Sequence, residues 1–192
     1  MLKTFRIGGI HPKENKFSAG KSIEAIELPS QVVVPLAQHI GAPCQLMVKR
    51  GQEVKVGTLL GKSVGFVSAN IHSPVSGKVR RVDMALDASG YKRNSVIIDV
   101  EGDEWEEHID RTDTLVRECN LTAKQIKDKI FDAGIVGLGG ATFPTHVKLT
   151  PPPGTKAEVL IINGVECEPY LTADHALMVE KAEGILVGVK LL

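Results

Sequence analysis

Two segments near the end of the chain carry the residues best suited to chemistry. Gly137-Leu138-Gly139-Gly140-Ala141-Thr142-Phe143-Pro144-Thr145 is a glycine-dense turn ending in Thr142 and Pro144, residue types that open helices. Backbone N–H groups would point out of such a turn toward an anion, a phosphate above all. Asn163-Gly164-Val165-Glu166-Cys167-Glu168-Pro169-Tyr170 follows the apolar run Ala157-Glu158-Val159-Leu160-Ile161-Ile162. That run reads as a buried parallel strand, and ligands of open α/β sheets sit beyond the carboxyl ends of such strands. Both segments are therefore expected to line one crevice. Lys148, on the short helix that Pro144 begins, offers it a cation. Glu166 and Glu168 can accept hydrogen bonds from a ribose or an amide, and Asn163 supplies both a donor and an acceptor. Each residue also has a plainer role: glycines end helices, a lysine sits in water, and Asn163 and Glu168-Pro169 shape turns.

Other chemistries lack their residues. The histidines, His11, His39, His72, His108, His146 and His175, show no two-His helical spacing and no nucleophile partner, so neither hydrolysis nor any other catalytic residue is predicted. Asp174-His175 beside Glu168 lacks the spacing of a metal site, and no metal is expected. Cys44, Cys119 and Cys167 are widely spaced and odd in number, which argues against disulfides and against a self-contained cluster. They are expected to be reduced thiols, at least two of them in the core. Lys plus Arg and Asp plus Glu number 23 each in 192 residues, so no positive field draws the chain onto nucleic acid or anionic lipid. No apolar stretch approaches the roughly 20 residues that span a bilayer. The expectation is a soluble, cytoplasmic chain.

The elements that must hold these residues follow from the apolar pattern. Residues 1–30, with Gly8-Gly9-Ile10-His11-Pro12, show no sustained period and read as an ordered arm. From 31 to 100 short apolar runs, among them Val32-Val33-Val34, Thr58-Leu59-Leu60 and Ser95-Val96-Ile97-Ile98, alternate with turn residues as in a small all-β unit. The acidic stretch 101–112 reads as a solvated linker, with Trp105 free to dock. Residues 113–192 read as the start of an α/β domain. Thr122-Ala123-Lys124-Gln125 is a capping box, Ile126, Ile130 and Phe131 form one helical face, Gly134 ends the helix, and Thr172 to Leu192 is helical. One strand and a few helices make an incomplete sheet, so further strands are expected beyond Leu192.

Val48-Lys49-Arg50-Gly51-Gln52-Glu53-Val54-Lys55-Val56-Gly57-Thr58 with His72-Ser73-Pro74-Val75-Ser76-Gly77-Lys78-Val79 resembles the lipoyl and biotinyl carrier fold, a flattened barrel-sandwich. The resemblance puts a modifiable lysine at a hairpin tip, and that position here is Phe66, which cannot form the amide link. A scaffold is expected rather than a carrier.

The arm motif, the lipoyl-like module, Gly137 to Leu149 and Asn163 to Asp174 together resemble the N-terminal part of the RnfC family of the Rnf electron transport complex. The later residues are also similar to the FMN- and NADH-binding flavoprotein of respiratory complex I. The resemblance implies an electron-transfer subunit working between NADH and ferredoxin through FMN and iron–sulfur clusters, coupled to ion transport. Two 4Fe-4S clusters would lie only in the C-terminal region absent from this chain. By the same resemblance Gly137, Gly139, Gly140 and Ala141 would approach FMN or the dinucleotide, and Phe143 would pack by the ring. Lys148, Asn163, Glu166 and Glu168 would contact the cofactors. The complex I loop arginine is matched here by Leu138, and an aspartate by Val165. Partners would be other Rnf subunits and NADH, with no nucleic acid. The place would be the cytoplasmic face of the inner membrane, peripheral and held through partner subunits. The alternative is a non-catalytic scaffold that docks the complex together.

Overall fold

Short runs rich in valine and isoleucine, separated by glycine, proline and serine, build β1 (Gln31–Pro35), β2 (Gln45–Leu46), β3 (Glu53–Val54), β4 (Leu59–Lys62), β5 (Ile71–His72), β6 (Gly77–Leu86) and β7 (Lys92–Val100). The computed structural model describes Gly9 and residues 12–138 and 140–192. Gly8, Ile10 and His11 of the arm motif, and Gly139 of the glycine turn, lie outside the described residues. The contacts divide the chain into two units, Ile26–Val159 and the arm through Ala25 with Leu160–Leu192, and each is described by itself.

In the first unit one antiparallel sheet runs β1-β7-β6-β3 and a second runs β2-β4-β5. Between them lies a core of Val34, Leu36, Cys44, Val48, Val54, Leu60, Ile71, Val75, Val79, Val96 and Ile98. Removing a leucine or isoleucine such as Leu60 or Ile98, both fully buried, from water is worth roughly 1.5–3 kcal/mol each. β7 is buried from Ser95 through Ile98 because it is covered on both sides, which explains its unbroken apolar run. β6 is harder to see in the sequence, since Arg80, Arg81 and Asp83 interrupt its apolar residues on the exposed face.

The acidic stretch is tied to this barrel by a few bonds while most of its residues stay exposed. Val56 N–H donates to Glu104 O at 2.9 Å and Glu106 N–H to Val56 O at 3.0 Å, closing a parallel bridge at Trp105. Thr58 Oγ1 donates to the Glu106 carboxylate at 2.5 Å. Trp105 Nε1 donates to Asp103 at 2.7 Å, and the Arg111 guanidinium sits 4.9 Å from the indole centroid.

Helix α1 (Ala123–Asp132) starts at the expected capping box, with Thr122 and Gln125 satisfying each other's backbone N–H. It ends in a Schellman motif: Gly134 N–H donates to Phe131 O and Ile135 N–H to Ile130 O. Gly134 has φ +67, and a Cβ there would lie 2.1 Å from the carbonyl oxygen of Asn70 in the loop after β4. The helix end thus rests directly on barrel backbone, and Asn70 Nδ2 donates to Asp132 O at 3.3 Å. Helix α2 is Thr145–Lys148.

In the second unit α3 (Ala173–Glu180) and α4 (Ala182–Leu191) follow the Asn163 segment. Residues 14–17 of the arm pack against it. Tyr170 N–H donates to Glu14 O at 2.7 Å, Lys16 Nζ to Leu171 O at 2.7 Å, and Phe17 and Tyr170 meet with ring centroids 5.9 Å apart.

Two expectations fail. Ala157–Ile162 is not a strand, and its apolar side chains are exposed, Ile161 by 82%. A strand requires the N–H and C=O groups of a neighbour, and no described residue pairs with this run. Only Cys44 is in the core, while Cys119 and Cys167 lie exposed in segments without regular structure.

The barrel and its helix support are open to two measurements. Gly134→Ala forces a left-handed alanine against Asn70, so the urea midpoint should fall by the equivalent of about 2 kcal/mol, and an unchanged midpoint would refute the close approach. Burial, then the neighbouring His108, lowers the His72 imidazole from its ordinary 6.5. Because the unfolded chain takes the proton first, the stability contributed by neutral His72 is complete above the unfolded value and is lost as pH falls below it. Thermal melts of His72→Gln should therefore lose less stability than the parent between about pH 7.5 and 5.5. Equal pH slopes would contradict this.

Candidate functional site

The glycine turn is a closed loop. Gly137 N–H donates to Phe143 O at 3.0 Å and Thr145 N–H to Ile135 O at 3.0 Å, with an antiparallel bridge between Val136 and Pro144. These bonds fix where the turn leaves α1 and where it enters α2. Inside the loop, the N–H groups of Gly140, Ala141 and Thr142 meet no protein acceptor among the described residues. A Cβ on Gly140 would meet nothing within 4 Å, so the turn is open on that side. Thr142 adopts φ +48, a left-handed conformation that costs a β-branched residue roughly 1–3 kcal/mol.

Lys148 approaches the same turn. A Cβ built on Gly137 would lie 3.0 Å from Lys148 Nζ, so the ammonium sits against the glycine backbone. Among the described residues no carboxylate pairs with it. Unsatisfied N–H groups beside an unpaired cation are the donor set an anionic oxygen requires. Phe143 is half-buried at the loop's end and Leu138 is 88% exposed.

The structure joins Gly137, Gly140, Ala141, Phe143 and Lys148 in one unit, and Asn163, Glu166 and Glu168 in the other. The second group is engaged locally. Asn163 Oδ1 accepts from Val165 N–H at 3.1 Å, an Asx turn, and Glu166 Oε1 accepts from His175 N–H at 3.1 Å, capping the first turn of α3. Glu168 contributes its carbonyl to Lys16 Nζ at 3.3 Å. Within that unit a cavity of about 600 Å³ is lined by Lys16, Lys21, Glu166, His175 and Val179.

Sequence reasoning missed Lys16 and His175 as neighbours of Glu166, and it missed His146. His146 is buried on α2, its Nε2 3.0 Å from the carbonyl oxygen of Phe66, with its ring edge-on to Phe131 at 4.9 Å. No pattern in the sequence connects positions 66 and 146. The one available hint was a histidine in an otherwise apolar stretch leading up to Lys148.

The fold and the turn define a barrel-sandwich protein with a glycine turn and a neighbouring lysine built onto its edge. Residues 3–103 match the RnfC barrel sandwich hybrid domain, and residues 130–192 match the Nuo51 FMN-binding domain. The chain belongs to the RnfC family. It is 47% identical over 194 residues to the corresponding subunit of the proton-translocating ferredoxin:NAD(+) oxidoreductase complex of Clostridium ljungdahlii, covering 100% of this chain and 42% of that protein. It is 46% identical to the corresponding subunit of the Na(+)-translocating complex of Acetobacterium woodii, covering 98% and 42%. With its counterpart in the ion-translocating oxidoreductase complex of Rhodobacter capsulatus the identity is 43%, covering 100% and 37%. The chain thus spans about two fifths of the length of the curated relatives it matches.

The left-handed Thr142 gives a direct check on the turn. Thr142→Gly removes the strain at φ +48 and should raise the urea midpoint by the equivalent of about 1 kcal/mol, whereas a loss of stability would show that the turn is not held in this conformation.

Proposed function

We propose that this chain is the N-terminal part of an electron-transfer subunit, in which the glycine turn and Lys148 hold the phosphate of FMN. The observation that carries the reading is the Lys148 ammonium lying against Gly137 beside a turn with an open face at Gly140. It falls within the residues that match the FMN-binding domain. The residues fit the group: two positions without side chains give the backbone close approach, and the cation balances the phosphate. Ala141 and Phe143 would flank the flavin, and Gly139 is assigned to the same site from the sequence alone. FMN bound there would supply the conversion between two-electron transfer at NADH and one-electron transfer onward.

In the complete protein, Asn163, Glu166 and Glu168 would contact the cofactors, NAD(H) among them, and two 4Fe-4S clusters in the C-terminal region would take the electrons toward ferredoxin. The relatives are named as subunits of ion-translocating ferredoxin:NAD(+) oxidoreductase complexes, and this chain would share that role and those partner subunits. Among the described residues no helix is long and apolar enough to cross a membrane. Attachment through partner subunits at the cytoplasmic face accounts for a peripheral place. The domain division belongs to the same reading: arm 1–30, lipoyl-like barrel 31–100, linker 101–112, and the opening of an α/β FMN domain from 113.

One observation favours the scaffold alternative for part of the chain. Asn163 Oδ1 and Glu166 Oε1 already accept backbone N–H groups of the turn and of α3.

FMN titration of this chain, and of a version extended to the length of its relatives, separates the two. Lys148→Ala should weaken binding roughly tenfold to a hundredfold, the loss of a charge-assisted hydrogen bond. Gly140→Trp should abolish it without lowering the melting temperature, since nothing in the fold contacts that face. Unaltered affinity in both variants would leave the scaffold reading standing.

A further inference from the structure

We infer that the β4–β5 loop, residues 63–70, is the positioning element of the glycine turn, and that it acts through the positioning residue His146. The inference rests on the FMN reading only for its consequence in ligand binding.

The loop is fixed from below. Ala42 N–H donates to Val67 O at 3.1 Å, Ser68 Oγ to Ala42 O at 3.0 Å, and Ser63 N–H to Asn70 Oδ1 at 3.0 Å. Ala69 N–H lies 3.1 Å from His39 Nε2, and Cys44 Sγ donates to Ala69 O at 2.9 Å. Ser68 and Ala69 are buried, so the loop is an extension of the barrel core. Its upper side carries the other partners. Asn70 O supports the glycine that ends α1, and Phe66 O faces His146 Nε2.

His146 is built to transmit that fixity. Its ring lies edge-on to Phe131 of α1 and to Phe66 of the loop, with centroids at 4.9 and 6.1 Å. Nε2 must carry a hydrogen to bond the Phe66 carbonyl, while Nδ1 is buried and without a partner among the described residues. A purely packing role would be filled by an apolar ring with no orphaned nitrogen. What the histidine adds is one directed bond to the barrel from a helix of four residues, too short to be stable alone. Two residues further along that helix, Lys148 lies against Gly137.

Amide hydrogen exchange in the full chain, read with FMN affinity, tests this. His146→Phe keeps the ring and removes the donor, and His146→Gln returns a donor near the Nε2 position. In the Phe variant the amides of Gly137, Thr145 and Leu149 should exchange about fivefold to tenfold faster, as expected for one lost hydrogen bond, while Val96 and Ile98 keep their protection. The Gln variant should return toward the parent. Unchanged exchange at those amides in the Phe variant would overturn the inference. Should that variant unfold, the nitrogen spectrum of His146 in the parent decides: hydrogen on Nε2 upholds the inference, and hydrogen on Nδ1 overturns it. Faster exchange in a chain whose parent form binds no FMN would uphold the positioning role and sink the flavin reading alone.

Discussion

A backbone contact without a side chain carries the first unit. Because Gly134 has no Cβ, the end of α1 rests directly on the carbonyl of Asn70, closer than any other residue would permit. The contact ties the helix to the barrel at the point where the chain enters the glycine turn. A helix of ten residues with no fully buried side chain has little hold of its own, so its place comes from its cap bonds and from that support. The barrel is thus the mould against which the turn is cast.

Beyond that support the chain forms a turn defined by what it leaves open. Among the described residues, open backbone at Gly140, donors without acceptors at Ala141 and Thr142, and a lysine without a carboxylate are each a small cost in a folded protein. Their coincidence in one loop, with a threonine held in a left-handed conformation, is how strain and unsatisfied polarity gather where a ligand is to be met. The second unit is built differently. There the arm, through Glu14 and Lys16, satisfies backbone groups of the 168–171 turn, Phe17 packs on Tyr170, and Glu166 caps α3.

Much of this could be read from the sequence where the signal is local. The capping box at Thr122 and the helix stop at Gly134 depend on residues a few positions apart, and both appear as read. The apolar runs of β1, β4 and β7 announce a small antiparallel barrel, and in β7 burial on both sides writes itself into composition. The run 157–162 carries the same composition without being a strand, since composition records what a segment can bury and not whether a partner lies beside it. β6 is the opposite case, a ten-residue strand concealed by the charges on its exposed face.

By itself the sequence determined the family, the barrel and the capped helix, because residue type and short-range spacing govern turns, caps and hydrogen-bond inventory. Tertiary structure alone decided that the acidic stretch lies along the barrel, that the arm packs on the Asn163 segment, that Glu166 caps a helix, and that Phe66 holds His146. The physical reason is separation. Partners 80 residues apart, as Phe66 and His146 are, leave no periodicity to read, and their pairing follows only once the core has closed and fixed which surfaces face each other.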